Sequence, residues 1–349
     1  MPNSPDADTL RAGGCRRLDD LPTTSSSAPN NSVLPAKATL MVAVDMTKSN
    51  AETLPPGISE NSVAFSALDG VELSGTWFMP RGDETEVKAA IVIVCGGGIP
   101  ARFYRRLARY LAGRGAAVLT FDYRGIGGSR RGSLRGLQGG VDVWAVYDLG
   151  AALALARSEF SQLPLEAVAH SIGALLIGAA PDASRLSRLV FFGPHTGYWR
   201  DYAPRWRWLL HFTWHIVMPA ATKVFGYFPG KALGLGEDLP PGIARDWAGR
   251  RQPEFFIFGD SRPIDELLGR YTSVRASTLA LSVSDDAFAP GDAARRLLAL
   301  YPNLRVKHEI VTPASVGRRR LGHFGFLRRP AGEVFWERAA AWLLSEQIP

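Results

Sequence analysis

Leu165-Glu166-Ala167-Val168-Ala169-His170-Ser171-Ile172-Gly173-Ala174-Leu175-Leu176 is the stretch that decides the fold. Leu165 to Ala169 reads as a short buried strand and Ile172 to Ala180 as a helix, so Ser171 stands on the turn between them. A turn that tight strains the serine and requires small residues two positions before and two after it, which Ala169 and Gly173 supply. The helix then aims its free N–H groups at the serine oxygen, an arrangement suited to a developing oxyanion. A helix N-cap serine also fits these five residues, so the rest of the chain has to separate the two readings.

Strands and helices alternate on both sides of that turn. Upstream, residues 63–68 and 71–77 read as a hairpin at an antiparallel edge. Ala89 to Cys95 is a continuous apolar run ending in Gly96-Gly97-Gly98, as in a strand buried on both faces, and a helix with Phe103, Leu107, Tyr110 and Leu111 on one side follows. Ala116 to Phe121 is the next strand, breaking into Asp122-Tyr123-Arg124-Gly125-Ile126-Gly127-Gly128-Ser129, and residues 141–157 form a helix. Downstream, strands are expected at Leu186 to Phe192, Thr278 to Val283 and Arg305 to Val311, with helices from Gly291 and from Ala331. This rhythm predicts an α/β fold with a mostly parallel sheet, helices on both faces, and function at the carboxyl ends of the strands.

Two segments depart from the rhythm. Residues 195–250 carry Trp199, Trp206, Trp208 and Trp214 with no clear strand, and read as an inserted helical cap between core segments 61–194 and 251–349. Residues 1–60 are rich in Ser, Asn, Pro and Thr without a period and read as a disordered tail; Met41 and Met46 would also allow a later start.

A serine nucleophile needs a base, and the chain has 6 His. His170 adjoins the serine and reads as a packing residue; His211 and His215 share a helical face but lack a Glu and a third ligand at metal spacing; His308 falls within a strand. His195 follows a strand end and would line the pocket. His323, in Leu321-Gly322-His323-Phe324-Gly325-Phe326 after the last strand, is placed to reach over to Ser171. The acid that orients it should end an intervening strand: Asp286 is chosen, Asp285 stands next, and Asp260 after Phe255-Phe256-Ile257-Phe258 is set aside because it would leave strand 278–283 without a role. Ile172 and Gly97 would supply N–H groups to the oxyanion, and Gly98, Tyr104, His195, Trp199 and Trp214 would line the substrate pocket.

Several functions are excluded on this reading. The glycine run has neither the Lys-Ser/Thr of a phosphate loop nor dinucleotide spacing, which argues against phosphate binding, and the serine mechanism implies no metal or organic cofactor. The net charge of +7 comes from scattered Arg without aromatic interleaving, which argues against nucleic acid. No secretory signal is visible, and the longest apolar stretch, Trp208 to Ala221, falls short of the ~20 residues that span a bilayer. Peripheral membrane contact through the cap remains open, as does the oligomeric state. Cys95 reads as a core residue, and with only 2 Cys in the chain a reducing, cytoplasmic setting is expected.

Together the glycine loop, Asp122 to Ser129, the Ser171 elbow, Asp286 and His323, in that order, resemble the α/β-hydrolase superfamily over residues 63–345. Arg102-Phe103-Tyr104, Gly226-Tyr227-Phe228-Pro229-Gly230, Ser284-Asp285-Asp286 and Gly322 to Phe326 look more narrowly like the bacterial hydrolases grouped with serine aminopeptidase-like and monoglyceride-lipase-like enzymes. Ala169 departs from the glycine most relatives carry there. The resemblance implies a serine hydrolase acting on a small-molecule ester, thioester or amide with an apolar acyl or aryl part. An acyltransferase, an aminopeptidase or a non-catalytic binding protein on the same fold are the alternatives.

Overall fold

The computed structural model describes residues 57–81, 86–251 and 264–345. The expected tail up to residue 56, with Cys15, lies outside these residues, as do the strand expected at Phe255 to Phe258 and Asp260. Eight strands form one sheet: β1 Ile58–Ser66, β2 Glu72–Pro80, β3 Ala89–Val94, β4 Ala116–Asp122, β5 Leu165–His170, β6 Arg188–Phe192, β7 Ser277–Val283 and β8 Arg305–Val311. Their order is β1-β2-β4-β3-β5-β6-β7-β8, and only β2 runs against its neighbours. The expected α/β architecture, mostly parallel with an antiparallel edge, is the one found. The hairpin begins earlier than its sequence suggests, because Ile58, Ser59 and Glu60 pair with Pro80, Met79 and Phe78 through backbone groups at a half-exposed edge where apolar alternation is weak.

Every residue of β3, β5 and β7 is buried, which requires cover on both faces of the sheet. The described helices are α1 Arg105–Ala112, α2 (Val141–Val143, a π turn at Trp144–Leu149, then Gly150–Glu159), α3 Gly173–Ala179, α4 Pro204–Phe212, α5 Met218–Phe225, α6 Pro241–Gly249, α7 Ile264–Ser273, α8 Gly291–Leu298 and α9 Ala331–Leu343. Helices α1 and α9 touch each other and pack on β4 and β6, while α2 and α3 touch each other and pack on β3 and β5. A π turn, Thr213–Val217, joins α4 to α5, so residues 204–225 wind on without a break between β6 and β7.

The loop after β4 is tied down by its own polar residues. Asp122 accepts from the N–H groups of Ala101 at 2.7 Å and Gly128 at 2.8 Å, and the Ser129 hydroxyl donates to the Asp122 carbonyl at 2.6 Å. Arg124 pairs with Asp69 on one side and with fully buried Asp148 on the other, at 2.7 and 2.6 Å. The glycine-rich motif of this loop is therefore scaffold: it fixes the ends of β4 and α2 beside the site.

Candidate active site

The carboxyl end of β5 delivers the serine. Ser171 has φ of +59°, in the left-handed region that a side-chain-bearing residue occupies only when its surroundings hold it there. Its N–H donates to the Phe192 carbonyl at 2.8 Å, tying the elbow to the end of β6. Gly173 is small for a specific reason: a Cβ there would lie 2.5 Å from the Val94 carbonyl oxygen, so only glycine lets α3 start against the end of β3.

His323 reaches over from the loop between β8 and α9. Its Nε2 lies 2.8 Å from Ser171 Oγ, and its Nδ1 lies 2.7 Å from Asp286 Oδ2. Asp286 sits just past β7, and its other oxygen accepts the N–H groups of Phe288 and Ala289 at 2.8 and 3.0 Å. Burial alone would raise this carboxyl, but the His323 imidazole and the two backbone donors outweigh it and hold it below the ordinary carboxylate value. Asp285 accepts instead from Leu321 N–H at 3.0 Å and Gly322 N–H at 2.9 Å, fastening the loop that carries His323. The two neighbouring acids thus have different work, and Asp286 is the one facing the imidazole.

A second imidazole touches the serine. His195 Nε2 lies 2.9 Å from Ser171 Oγ, and the ring is buried with Nδ1 unpartnered. Burial, then the neighbouring His323, drives its pKa well below the ordinary value, so the ring is neutral. A serine hydroxyl has one proton to give. With His323 donating Nδ1–H to Asp286, bare Nε2 accepts that proton, and His195 must donate its own Nε2–H to Oγ. Sequence reading placed His195 in the pocket but missed this contact; the available signal was that the residue after β6 lies beside the residue after β5 when those strands are neighbours.

His170 sits behind the site. The Gly96 N–H donates to the Tyr104 hydroxyl at 2.8 Å, Tyr104 lies 2.9 Å from His170 Nδ1, and His170 Nε2 lies 3.0 Å from the His323 carbonyl oxygen. Burial lowers the His170 pKa to about 3, with His323 adding to the shift, which keeps it neutral. As a neutral ring it accepts from Tyr104 and donates to the His323 carbonyl, joining the glycine loop to the backbone of His323. Tyr104 is therefore a buried strut rather than the pocket residue expected. Trp199 also falls outside the pocket lining, because it packs on Trp208 and His211 with ring centroids 5.3 and 4.5 Å away.

The pocket above Ser171 encloses about 850 Å³, mouth included. Gly98, His195 and Trp214 line it as expected, joined by Gly97, Ile172, Trp144, Met218, Phe228, Leu239, Ile243 and Trp247. Among the described residues no carboxylate, lysine or arginine lines it. Gly97 and Ile172 are neighbours, since a Cβ on Gly97 would come within 3.2 Å of Ile172 Cγ2, and neither N–H donates to another group among the described residues. Elsewhere, His308 meets Ser282 at 2.9 Å and His215 meets the Ala248 carbonyl at 2.7 Å. Cys95 is buried, which raises its thiol well above the ordinary value and leaves it inert. No cluster among the described residues is suited to a metal ion.

Comparison with known proteins agrees with this fold. Residues 85–246 match the family described as serine aminopeptidase, S33. Among solved structures, the chain is similar to a soluble variant of monoglyceride lipase from Saccharomyces cerevisiae (15% identity, 84% of this chain and 97% of that one, TM-score 0.61). It is likewise similar to brefeldin A esterase, a bacterial homologue of human hormone-sensitive lipase (16%, 91% and 88%, TM-score 0.55). An esterase of Pyrococcus furiosus matches with 16% identity over 81% of this chain and 89% of that one, TM-score 0.51. No curated protein matches the chain in sequence. A mixed sheet with a strained serine after its central strand and the architecture shared with these structures lead to one conclusion: this chain has the α/β-hydrolase fold, and its residues 85–246 match the serine aminopeptidase S33 family.

Proposed function

We propose that the protein hydrolyses esters carrying an apolar acyl or aryl group, through Ser171, His323 and Asp286. The observation that carries this reading is the hydrogen-bonded series Asp286–His323–Ser171, at 2.7 and 2.8 Å, opening into an apolar pocket. His323 takes the Ser171 proton as Oγ bonds to the substrate carbonyl carbon, and the oxyanion rests on the N–H groups of Gly97 and Ile172. Collapse breaks the carbon–oxygen bond to the leaving group, which departs with the proton held on His323. Water, deprotonated by the same imidazole, then releases the acid and restores Ser171.

An aminopeptidase would need a negative group to hold a free amino terminus. The lining contains no carboxylate among the described residues, which favours an apolar ester over a peptide. We read residues 195–250 as the cap that supplies Trp214, Met218, Phe228, Leu239, Ile243 and Trp247 to that pocket, with 61–194 and 251–349 as the core.

The test is a panel of p-nitrophenyl esters of increasing chain length, with fluorophosphonate labelling of wild type and Ser171→Ala. Labelling confined to wild type, with hydrolysis favouring apolar acyl chains, is the expected result; label retained by Ser171→Ala would remove the nucleophile from the reading. Within the same scheme His195 steadies the serine oxygen so that its O–H points at His323. His195→Ala should lower kcat by ~10- to 100-fold with little change in KM, and His195→Gln, which keeps an N–H donor, should recover part of the loss. Equal kcat for all three proteins would reduce His195 to a packing residue.

A further inference from the structure

The helical run from α4 to α5 has two apolar faces, and only one is used by the pocket. Trp214 and Met218 face inward and line it. On the outside, Trp208, Phe212 and Ile216 are 69%, 54% and 51% exposed, and Val224 continues the series at 75%. Their spacing is four residues, with exposed Ala220 at the step between Ile216 and Val224. On an α-helix a four-residue step drifts around the axis, but the π turn Thr213–Val217 holds more residues per turn and winds the stripe back. The outcome is an apolar stripe along the surface, of a kind a monomer in water seldom leaves uncovered.

The chain segment that carries it has charges of one sign. From Tyr202 to Gly236 the chain contains Arg205, Arg207, Lys223 and Lys231 and no Asp or Glu. Arg205 and Lys223 are exposed, stand near the two ends of the stripe, and make no ion pair among the described residues. Exposed Arg135 adds a third cation beside its end, donating to the Phe225 carbonyl at 2.9 Å. No described helix is long and apolar enough to cross a membrane.

We propose that this face docks on an anionic phospholipid surface, with Trp208, Phe212 and Ile216 entering the boundary between headgroups and acyl chains. Arg205, Lys223 and Arg135 would meet the phosphates. The charge decides the occupant: an apolar stripe alone would suit many partners, whereas one bordered by cations over an acid-free segment complements a negative interface. Docking would also bring the opposite, pocket-lining face of the same helix close to the membrane. The proposal goes beyond ester hydrolysis and stands whether or not Ser171 is the nucleophile.

The full-length protein is sedimented with vesicles of phosphatidylcholine alone and of phosphatidylcholine mixed with phosphatidylglycerol. The expected result is binding to the mixed vesicles, weakening as salt is raised. Trp208→Ser with Phe212→Ser should lower that binding at least ~tenfold, and Arg205→Glu with Lys223→Glu should remove the preference for phosphatidylglycerol. Both variants should keep wild-type hydrolysis of a short water-soluble ester, showing that the fold is intact. Wild type left in the supernatant, or variants that sediment equally well, would overturn the proposal. So would a dimer in solution that Trp208→Ser with Phe212→Ser dissolves, since the face would then belong to a second copy.

Discussion

Asp286→Asn is expected to lower kcat by ~10³- to 10⁴-fold while leaving KM near its wild-type value. The loss follows from which atom of the new amide faces His323. Phe288 and Ala289 both donate N–H to Asp286 Oδ1, so the amide oxygen must take that position and the NH₂ group must take the other. The NH₂ then points at His323 Nδ1, which can only accept. The imidazole proton is forced onto Nε2, the atom that receives the Ser171 proton in the proposed mechanism. Ser171 Oγ would face N–H donors from both His323 and His195, with no base for its own hydrogen. Asp285→Asn should cost far less, because that side chain only fastens the loop backbone at Leu321 and Gly322. Steady-state kinetics on the two variants decide the matter, and a larger loss in Asp285→Asn would reverse the assignment of the acid.

How much of this was readable in the sequence depends on whether the determining interaction was local. Ala89 to Val94 and Ser277 to Val283 announce themselves because a strand covered on both faces must be apolar at every position, and that pattern survives without neighbours. Ser171 was readable because the elbow restricts the residues beside it, as Gly173 against the Val94 carbonyl illustrates. Tyr104 was misplaced for the opposite reason. Its position after the glycine loop fits a pocket residue, yet the hydroxyl turns back to Gly96 and His170, the latter 66 positions away in the chain. Trp199 was assigned from composition alone, and nothing in a tryptophan-rich segment tells which rings turn inward. The two π turns were equally hidden, since they are shifts in backbone hydrogen bonding with no residue preference strong enough to mark them.

Arg124→Ala is expected to destabilise the folded protein by about 3–5 kcal/mol, read as a fall in Tm of about 10 °C. Arg124 is the only cation paired with Asp148 among the described residues, and Asp148 is fully buried. Burial raises the Asp148 carboxyl to about 6 even with the guanidinium beside it, so removing Arg124 leaves a charge with little solvent and no counter-charge. The pH dependence has a definite sign. A carboxyl raised in the folded state carries no penalty below its unfolded value of 3.8 and a growing one as pH climbs through the folded value. Without Arg124 the folded value moves higher still. The gap in Tm between wild type and Arg124→Ala should therefore be smallest below about pH 6, where both folded proteins keep the proton on Asp148, and widen as the pH climbs above it; a gap that widens in acid would contradict this account. Activity should suffer with stability, because the Trp144 indole donates to the Arg124 carbonyl at 3.2 Å and stacks on Tyr123 at 4.8 Å. Trp144 lines the pocket. Arg124→Lys should recover only part of the loss, since one ammonium cannot span Asp69 and Asp148 as the planar guanidinium does.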